Sequence, residues 1–273
     1  MDGHVSTLSQ EKLIIAYDEK VTIGSQVFHN VPLKEFLSSL TSTIQSPKAA
    51  IPKVPQFLNS QNGNNKNASR ISDAQITVES FFDTIDEIIP EGMTYIAETG
   101  DSLFGSGLRK LKHNSRYIAQ ARYLSLGFGT PAVLGAGLAD PQSRVIAFIG
   151  DGGFQVSAQE ASSWIRYGVK PIVFLLNNEG YVTERIIHDG VHQYNEIPPW
   201  NYSEIFKLFG RSHAVKVKTA SELFAAIRIA LLHAELPVFI EVMLERDNTS
   251  QGLKTLAEKV HTQPHLEYEI DII

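Results

Sequence analysis

The chain has 273 residues, of which 43% are hydrophobic and 20% charged, with a net charge of −6 and no cysteine. This composition predicts a globular protein with a substantial core; the negative charge argues against a nucleic-acid partner, and the lack of cysteine excludes disulfides and thiolate chemistry. No apolar run reaches the roughly 18 residues of a membrane span, and no signal-peptide pattern opens the sequence, so we expect no membrane partner and a cytoplasmic location.

The first 40 residues contain too few predicted elements for an independent domain. Apolar runs predict strands at 12–17 and 21–24, and a helix follows at 32–40. Such a set buries too little surface to fold alone. Residues 41–71 then hold three prolines and a run rich in Asn and Gly, which is typical of a flexible linker.

From residue 72 onward the sequence predicts an α/β domain that runs to residue 273. Ser72 or Asp73 is the expected N-cap of a helix whose apolar stripe has helical spacing. The stripe consists of Ile76, Phe81, Phe82, Ile85, Ile88 and Ile89. Predicted strands at 93–98, 145–149, 172–176, 213–217 and 238–244 alternate with predicted helices at 128–139, 155–167, 202–208 and 220–235. This alternation predicts a doubly wound parallel sheet with helices on both faces.

Polar residues follow two neighbouring strands of this predicted sheet. Asp151 comes directly after strand 145–149, and Asn178 comes after strand 172–176. Because the carboxyl ends of parallel strands meet at one edge, these side chains are expected to lie together. Carboxylate and carboxamide oxygens suit Mg²⁺ or Ca²⁺, and Gly152 and Gly153 leave backbone N–H groups open to a phosphate at a helix N-terminus. The pattern therefore predicts a site for a metal-bound diphosphate.

Other interpretations of the same residues remain open at this point. Asp151 could simply cap a helix, and Asn178 could owe its place to the turn formed with Asn177 and Gly180. A dinucleotide-binding oxidoreductase is a less favoured alternative, because Gln155 stands where its third glycine is required.

The spacing of these motifs carries a resemblance to a known family. Gly150-Asp151-Gly152, separated by about two dozen residues from Asn177-Asn178, is similar to the signature of thiamine-diphosphate-dependent enzymes. The segments at 96–102, 125–129, 179–185 and 194–202 resemble the 2-oxo acid decarboxylases, which include the pyruvate, indolepyruvate, phenylpyruvate and branched-chain enzymes. The resemblance extends from about residue 12 to residue 245.

The resemblance implies a reaction, two cofactors and a set of site residues. The reaction is the non-oxidative decarboxylation of a small 2-oxo acid to an aldehyde and CO₂, with thiamine diphosphate and Mg²⁺. The metal ligands would be Asp151, Asn178 and the backbone carbonyl of Gly180. Glu184 would be the catalytic residue, assisting proton transfer after CO₂ leaves. The cofactor-binding residues would be Asp101, Ser102, Ser125, Leu126, Gly150, Asp151, Gly152, Gly153, Asn178, Gly180, Tyr181 and Val182.

Several of these positions have a structural alternative or depart from the family pattern. Asp101 and Ser102 could form a helix cap, Leu126 could be core packing, and Glu184 is favourable in any first helical turn. Thr183 stands where an aliphatic residue is usual, and Gly153 where serine is common.

The resemblance also implies that this chain corresponds to the C-terminal half of such an enzyme. Residues 1–40 resemble the last strand and helix of a central domain, 41–71 the linker, and 72–273 the diphosphate-binding domain. In the family, a glutamate from a further domain activates the pyrimidine ring across a subunit interface. We therefore expect a homo-oligomer or a partner chain that carries the pyrimidine domain. The alternative is a catalytically inactive fragment or a regulatory subunit.

Overall fold

The computed structural model describes residues 11, 13–43, 73–188 and 192–262. The chain divides into two compact units, Met1–Asn59 and Ser60–Ile273. The division falls within the predicted linker, most of which lies outside the described residues, as do Lys12 and Ser72.

The described part of the first unit is a small antiparallel sheet followed by a helix. Strands β1 (Ile14–Tyr17), β2 (Lys20–Ile23) and β3 (Gln26–His29) pair in sequence order, and helix α1 (Leu33–Thr43) follows. The sequence predicted only two of these strands, and α1 extends three residues past its predicted end. Val21 is the one buried hydrophobic residue in the described part of this unit, which agrees with the expectation that the segment lacks a core of its own.

The second unit contains a parallel sheet, as predicted, and this sheet has six strands rather than the five predicted. Its strands are β4 (Thr94–Ala97), β5 (Arg116–Ala119), β6 (Val145–Gly150), β7 (Ile172–Asn177), β8 (His213–Val217) and β9 (Val238–Met243), and their order across the sheet is β5-β4-β6-β7-β9-β8. The sequence did not predict β5, which is a largely exposed edge strand.

Nine further helices surround this sheet in the described part of the chain. They are α2 (Val78–Ile88), α3 (Asp101–Ser106), α4 (Gly129–Ala139), α5 (Asp151–Ser157), α6 (Ala161–Arg166), α7 (Val182–Ile187), α8 (Tyr202–Leu208), α9 (Ala220–Leu232) and α10 (Gln251–Thr262). The described helices include none that is both long and apolar enough to cross a membrane.

Each face of the sheet has its own core, which confirms the doubly wound fold. Helices α2 and α9 cover one face, where Phe81 packs edge-on against Phe148 and Phe174 at centroid distances of 5.8 and 5.3 Å. Helices α4, α5, α6 and α8 cover the other, around Trp164 and Phe206. Continuous apolar strands such as β6 and β7 are what a sheet covered on both faces requires.

Two predicted helix boundaries were wrong. The N-cap of α2 is Thr77 rather than Ser72 or Asp73, and Thr77 and Ser80 form a reciprocal capping box. Gln75 instead forms an isolated antiparallel β-bridge with Thr219, so the chain is not yet helical at that residue. The helix predicted at 155–167 begins earlier, at Asp151, and a 3₁₀ turn divides it into α5 and α6.

The strand order places a crevice beside β4 and β6. The chain moves outward from β4 to β5 and then returns to β6 on the other side of β4. Such a reversal leaves an open crevice at the carboxyl ends of the two strands, where α/β proteins bind ligands.

Candidate functional site

A cavity of about 410 Å³ lies at this carboxyl edge. The starts of α3, α5 and α7 and the turn after β7 form its walls. It brings together all but one of the predicted site residues: Asp101, Ser102, Leu126, Gly150, Asp151, Gly152, Gly153, Asn178, Gly180, Tyr181, Val182 and Glu184. The exception, Ser125, lies outside the lining, where its backbone N–H donates to Gln120 at 3.3 Å.

Asp151 is a buried carboxylate at the first position of α5. Its side chain accepts hydrogen bonds from the backbone N–H groups of Gly152 at 2.8 Å and Gly180 at 2.9 Å. Burial raises the pKa of Asp151 to about 6, although these bonds oppose the change. Oδ1 therefore bonds to the start of α5, and Oδ2 bonds to the turn after β7.

Asn178 supplies an unpartnered polar group next to this carboxylate in the cavity wall. The residue is 5% exposed, and within the described residues its carboxamide makes no hydrogen bond. Only its backbone carbonyl is engaged, by Arg185 Nη2 at 3.3 Å. Because the carboxamide has no partner among the described residues and the residue lines the cavity, its oxygen is available to a ligand.

The shape of the turn after β7 requires glycine at position 180. Gly180 has φ of 131°. A Cβ atom there would lie 2.4 Å from the backbone oxygen of Asn195 and 2.9 Å from Arg185 Nη1. The preceding residue, Glu179, is also left-handed, with φ of 59°.

These residues fit a hard divalent cation. One carboxylate, one free carboxamide and a turn carbonyl are the oxygen ligands that Mg²⁺ and Ca²⁺ take. Across the described ranges there is no cluster of three or more His, Cys, Asp or Glu side chains that could hold a metal, so a cation bound here would depend on this mixed oxygen set.

The structure changes the interpretation of the two glycines after Asp151. We expected both to admit a phosphate, but the N–H of Gly152 is already bonded to Asp151, and a Cβ atom on Gly152 would lie 2.2 Å from the Tyr181 ring. A Cβ atom on Gly153 would lie 2.7 Å from Glu98 Cγ. Glycine is thus required here by protein packing. Gly153 is the third residue of α5, a position whose N–H has no partner within a helix.

Asp101 and Ser102 begin α3 and differ in their availability. The Asp101 carboxylate accepts from the backbone N–H of Ser250 at 2.8 Å and also from the Ser250 hydroxyl, so it holds the start of α10. The Ser102 side chain has no hydrogen-bond partner within the described ranges, and Ser102 lines the cavity. Ser102 is therefore better placed than Asp101 to contact a diphosphate.

Glu184 lies in the first turn of α7 and lines the cavity. Its side chain is 46% exposed in this chain, whereas a carboxyl that serves as a general acid is usually shielded from water. His188, one turn later, lies 3.2 Å from it. The sequence analysis missed this pairing, although spacing of four residues on a helix was its signal.

Two further buried residues were missed. Glu98, at the end of β4, is fully buried and accepts from the backbone N–H groups of Thr99 at 2.9 Å and Gly129 at 2.7 Å; burial raises its pKa. Asn195 lines the cavity, and neither polar atom of its side chain has a partner among the residues that the structure describes. A charged residue closing an apolar strand was a signal for Glu98, whereas no local pattern marks Asn195.

Comparison with known proteins assigns the family. The sequence pattern of the family described as "Thiamine pyrophosphate enzyme, C-terminal TPP binding domain" matches residues 98–242, which is more than half of the chain. The chain belongs to the thiamine pyrophosphate enzyme family. The matched region begins directly after β4, contains β5 to β8 and most of β9, and includes the whole group of predicted metal ligands.

Plant pyruvate decarboxylases are similar to this chain. Pyruvate decarboxylase 2 of Arabidopsis thaliana is 36% identical over 267 residues, which cover 94% of this chain and 43% of the relative. Pyruvate decarboxylase 2 of Pisum sativum is 35% identical over 264 residues, covering 94% and 64%. The chain thus spans less than two thirds of each of these relatives.

A solved structure supports the fold. An enzyme of Mycobacterium smegmatis, described as thiamin diphosphate-dependent, superposes with a TM-score of 0.61 at 22% identity, covering 81% of this chain and 40% of the other. At that identity the likeness concerns the fold alone.

Proposed function

We propose that this chain is the cation- and diphosphate-binding half of a thiamine-diphosphate-dependent decarboxylase that converts a 2-oxo acid to an aldehyde and CO₂. The observation that carries the proposal is the meeting of Asp151 and the unpartnered Asn178 at two adjacent strand ends. Similarity to pyruvate decarboxylases over 94% of the chain supports the reaction type.

In this proposal, the residues of the chain divide into a metal group and a phosphate group. Asp151, Asn178 and the carbonyl of Gly180 hold Mg²⁺. Ser102 and the N–H of Gly153 hold the diphosphate, which balances the cation charge. Thiamine diphosphate, when bound, supplies the electron sink that makes loss of CO₂ feasible.

Glu184 is proposed to donate the proton that the substrate-derived carbon needs before the aldehyde leaves. Its place in the cavity wall supports this role. Exclusion of water from a carboxyl group favours its protonated form, which can donate a proton. In this proposal, a second domain or the substrate excludes water from Glu184. Leu126 lines the same cavity and is 43% exposed. Its apolar side chain is proposed to pack against the bound cofactor.

A chimaeric enzyme tests the proposed function. In the Arabidopsis pyruvate decarboxylase, the segment that aligns with residues 72–273 of this chain is replaced by those residues. Aldehyde formation is then measured with pyruvate, phenylpyruvate and a branched-chain 2-oxo acid. We expect activity with at least one substrate, and its loss in the same chimaera carrying Asp151→Ala. A folded chimaera that binds thiamine diphosphate with Mg²⁺ but decarboxylates none of them would contradict the proposed reaction and favour a catalytically inactive partner subunit.

A further inference from the structure

A buried carboxylate lies behind the turn that carries Asn178. Glu241 is in the middle of β9 and is 0% exposed. Its strand neighbours Ile240 and Val242 face the core under α2 and α9, so Glu241 points to the opposite face with Phe239. A charge in such a place is stabilised only if other groups pair with it.

Three elements supply the partners of Glu241. Lys216 on β8, which stands opposite it in the sheet register, places Nζ 2.9 Å from Oε1. Asn177, the last residue of β7, donates from Nδ2 to the same oxygen at 2.9 Å. The backbone N–H of Ser203, in the first turn of α8, lies 3.4 Å from Oε2. The carboxylate is thus fixed from both neighbouring strands and from a helix start.

These contacts fix the orientation of the Asn177 side chain. Because Nδ2 of Asn177 donates to Glu241, Oδ1 faces the other way and accepts from the backbone N–H of Glu179 at 3.3 Å. Glu179 is held there in a left-handed conformation, and the next N–H, from Gly180, reaches Asp151. The chain of contacts runs from Lys216 through Glu241 and Asn177 to the turn that contains Asn178 and Gly180.

We propose that Glu241 is a positioning residue for the cation site: through Asn177 it fixes the turn that presents Asn178 and the Gly180 carbonyl to a divalent cation. The inference rests on the proposed function, since it assumes that this turn binds Mg²⁺. Groups that orient metal ligands in this way typically contribute about 10- to 100-fold to metal affinity.

The test is calorimetric titration of the full 273-residue chain with thiamine diphosphate at a series of Mg²⁺ concentrations. The readout is the Mg²⁺ concentration at which the affinity for thiamine diphosphate reaches half of its value at saturating Mg²⁺. Glu241→Met removes the acceptor for Asn177 and is expected to raise this concentration about 10-fold or more. Glu241→Gln retains an acceptor oxygen and is expected to restore most of the affinity. Ile240→Val, on the same strand but facing the other core, is the matched control and is expected to match the wild type.

A double-mutant cycle separates positioning from general damage. If Glu241 acts through Asn177, the double variant Glu241→Met/Asn177→Ala loses no more Mg²⁺ affinity than Asn177→Ala alone, whereas independent effects multiply. Wild-type Mg²⁺ dependence in Glu241→Met, or a loss in Ile240→Val as large as that in Glu241→Met, would overturn the inference. If Glu241→Met does not fold, Asn177→Ala decides: it breaks the same link between Glu241 and the turn, and wild-type Mg²⁺ dependence in that variant contradicts the proposal. A wild-type chain that shows no Mg²⁺-dependent binding refutes the cation site itself, which is a distinguishable result.

Discussion

The carboxylate of Asp151 accepts a hydrogen bond from the backbone N–H of Gly180 at 2.9 Å. This bond joins the start of α5 to the turn after β7, so the two sequence motifs form one wall of the cavity. Burial raises the pKa of Asp151 to about 6, because the backbone donors and the charge of Arg185 only partly offset the loss of water around the carboxylate. A bound cation would supply the missing compensation.

The raised pKa predicts that cation binding depends on pH. A cation needs the ionised carboxylate, so the Mg²⁺-dependent affinity for thiamine diphosphate should fall as the pH drops below about 6, by up to tenfold per pH unit. Calorimetry between pH 5 and 8, conditions chosen to bracket this pKa, checks this. Asp151→Asn should bind weakly at every pH, and an unchanged pH profile in that variant would assign the dependence to another group.

The same shift predicts the pH dependence of stability without a cation. Folded Asp151 holds its proton more tightly than the unfolded chain does, so its contribution to stability is greatest at low pH and falls between pH 3.8 and about 6. The shift corresponds to roughly 3 kcal/mol. Denaturant unfolding of the metal-free chain should show that Asp151→Asn removes this component of the pH dependence, and saturating Mg²⁺ with cofactor should offset it in the wild type.

Gly180→Ala should be strongly destabilising. The added Cβ atom would lie 2.4 Å from a backbone oxygen, at φ of 131°, and such strain combined with overpacking costs about 3 kcal/mol or more. Gly168→Ala is the control, because Gly168 has φ of 71° but no atom within 4 Å of the added group; it should cost only about 1 kcal/mol. Similar free energies of unfolding for the two variants would show that the turn is free to adjust.

Gly153→Ser should weaken the fold rather than add a phosphate contact. Serine is common at this position in the family, but here the new Cβ atom would lie 2.7 Å from Glu98 Cγ, and the Glu98 carboxylate is held by the N–H groups of Thr99 and Gly129. Overpacking of this kind costs about 1–3 kcal/mol. Thermal unfolding and cofactor titration of Gly153→Ser measure both effects, and tighter cofactor binding without lost stability would show that Glu98 moves aside.

The 273-residue chain alone should bind the cofactor yet form negligible aldehyde. Its relatives extend well beyond the matched region, and the family resemblance assigns activation of the pyrimidine ring to a domain outside that region. An assay with pyruvate, Mg²⁺ and thiamine diphosphate checks this. Steady turnover by the purified chain, lost in Glu184→Gln, would show that it is a complete catalyst.

Much of the fold could be predicted because its central strands carry strong local signals. Strands β6 and β7 are continuous apolar runs that end in the polar motifs, and α/β alternation then fixes a parallel sheet. The third strand of the small sheet and the edge strand β5 lacked such signals, because both are largely exposed. Helix α10 was missed although its sequence carries a local signal: Leu253, Leu256, Ala257 and Val260 have helical spacing, and Ser250 caps its start by accepting from the N–H of Leu253.

The site was predicted as a set of residues but not as a set of contacts. The motifs located Asp151 and Asn178, yet no spacing shows that Asp101 holds Ser250 or that Glu98 occupies the space beside Gly153. These contacts depend on how separate elements pack. Glu241, a single charge within an apolar strand, is a buried partner that the sequence does mark, as it marks Glu98 at the end of β4.

The central claim is that Asp151, Asn178 and the Gly180 carbonyl bind one divalent cation together with the diphosphate. Crystals grown with Mn²⁺ and thiamine diphosphate allow a direct measurement, since anomalous scattering locates Mn²⁺ without assumptions. We expect one anomalous peak within coordination distance of these three oxygens, about 2.0–2.5 Å for hard cations. We expect no such peak in crystals of Asp151→Ala. A fully occupied peak elsewhere in the cavity, or a diphosphate bound without a cation at Asp151, would contradict it.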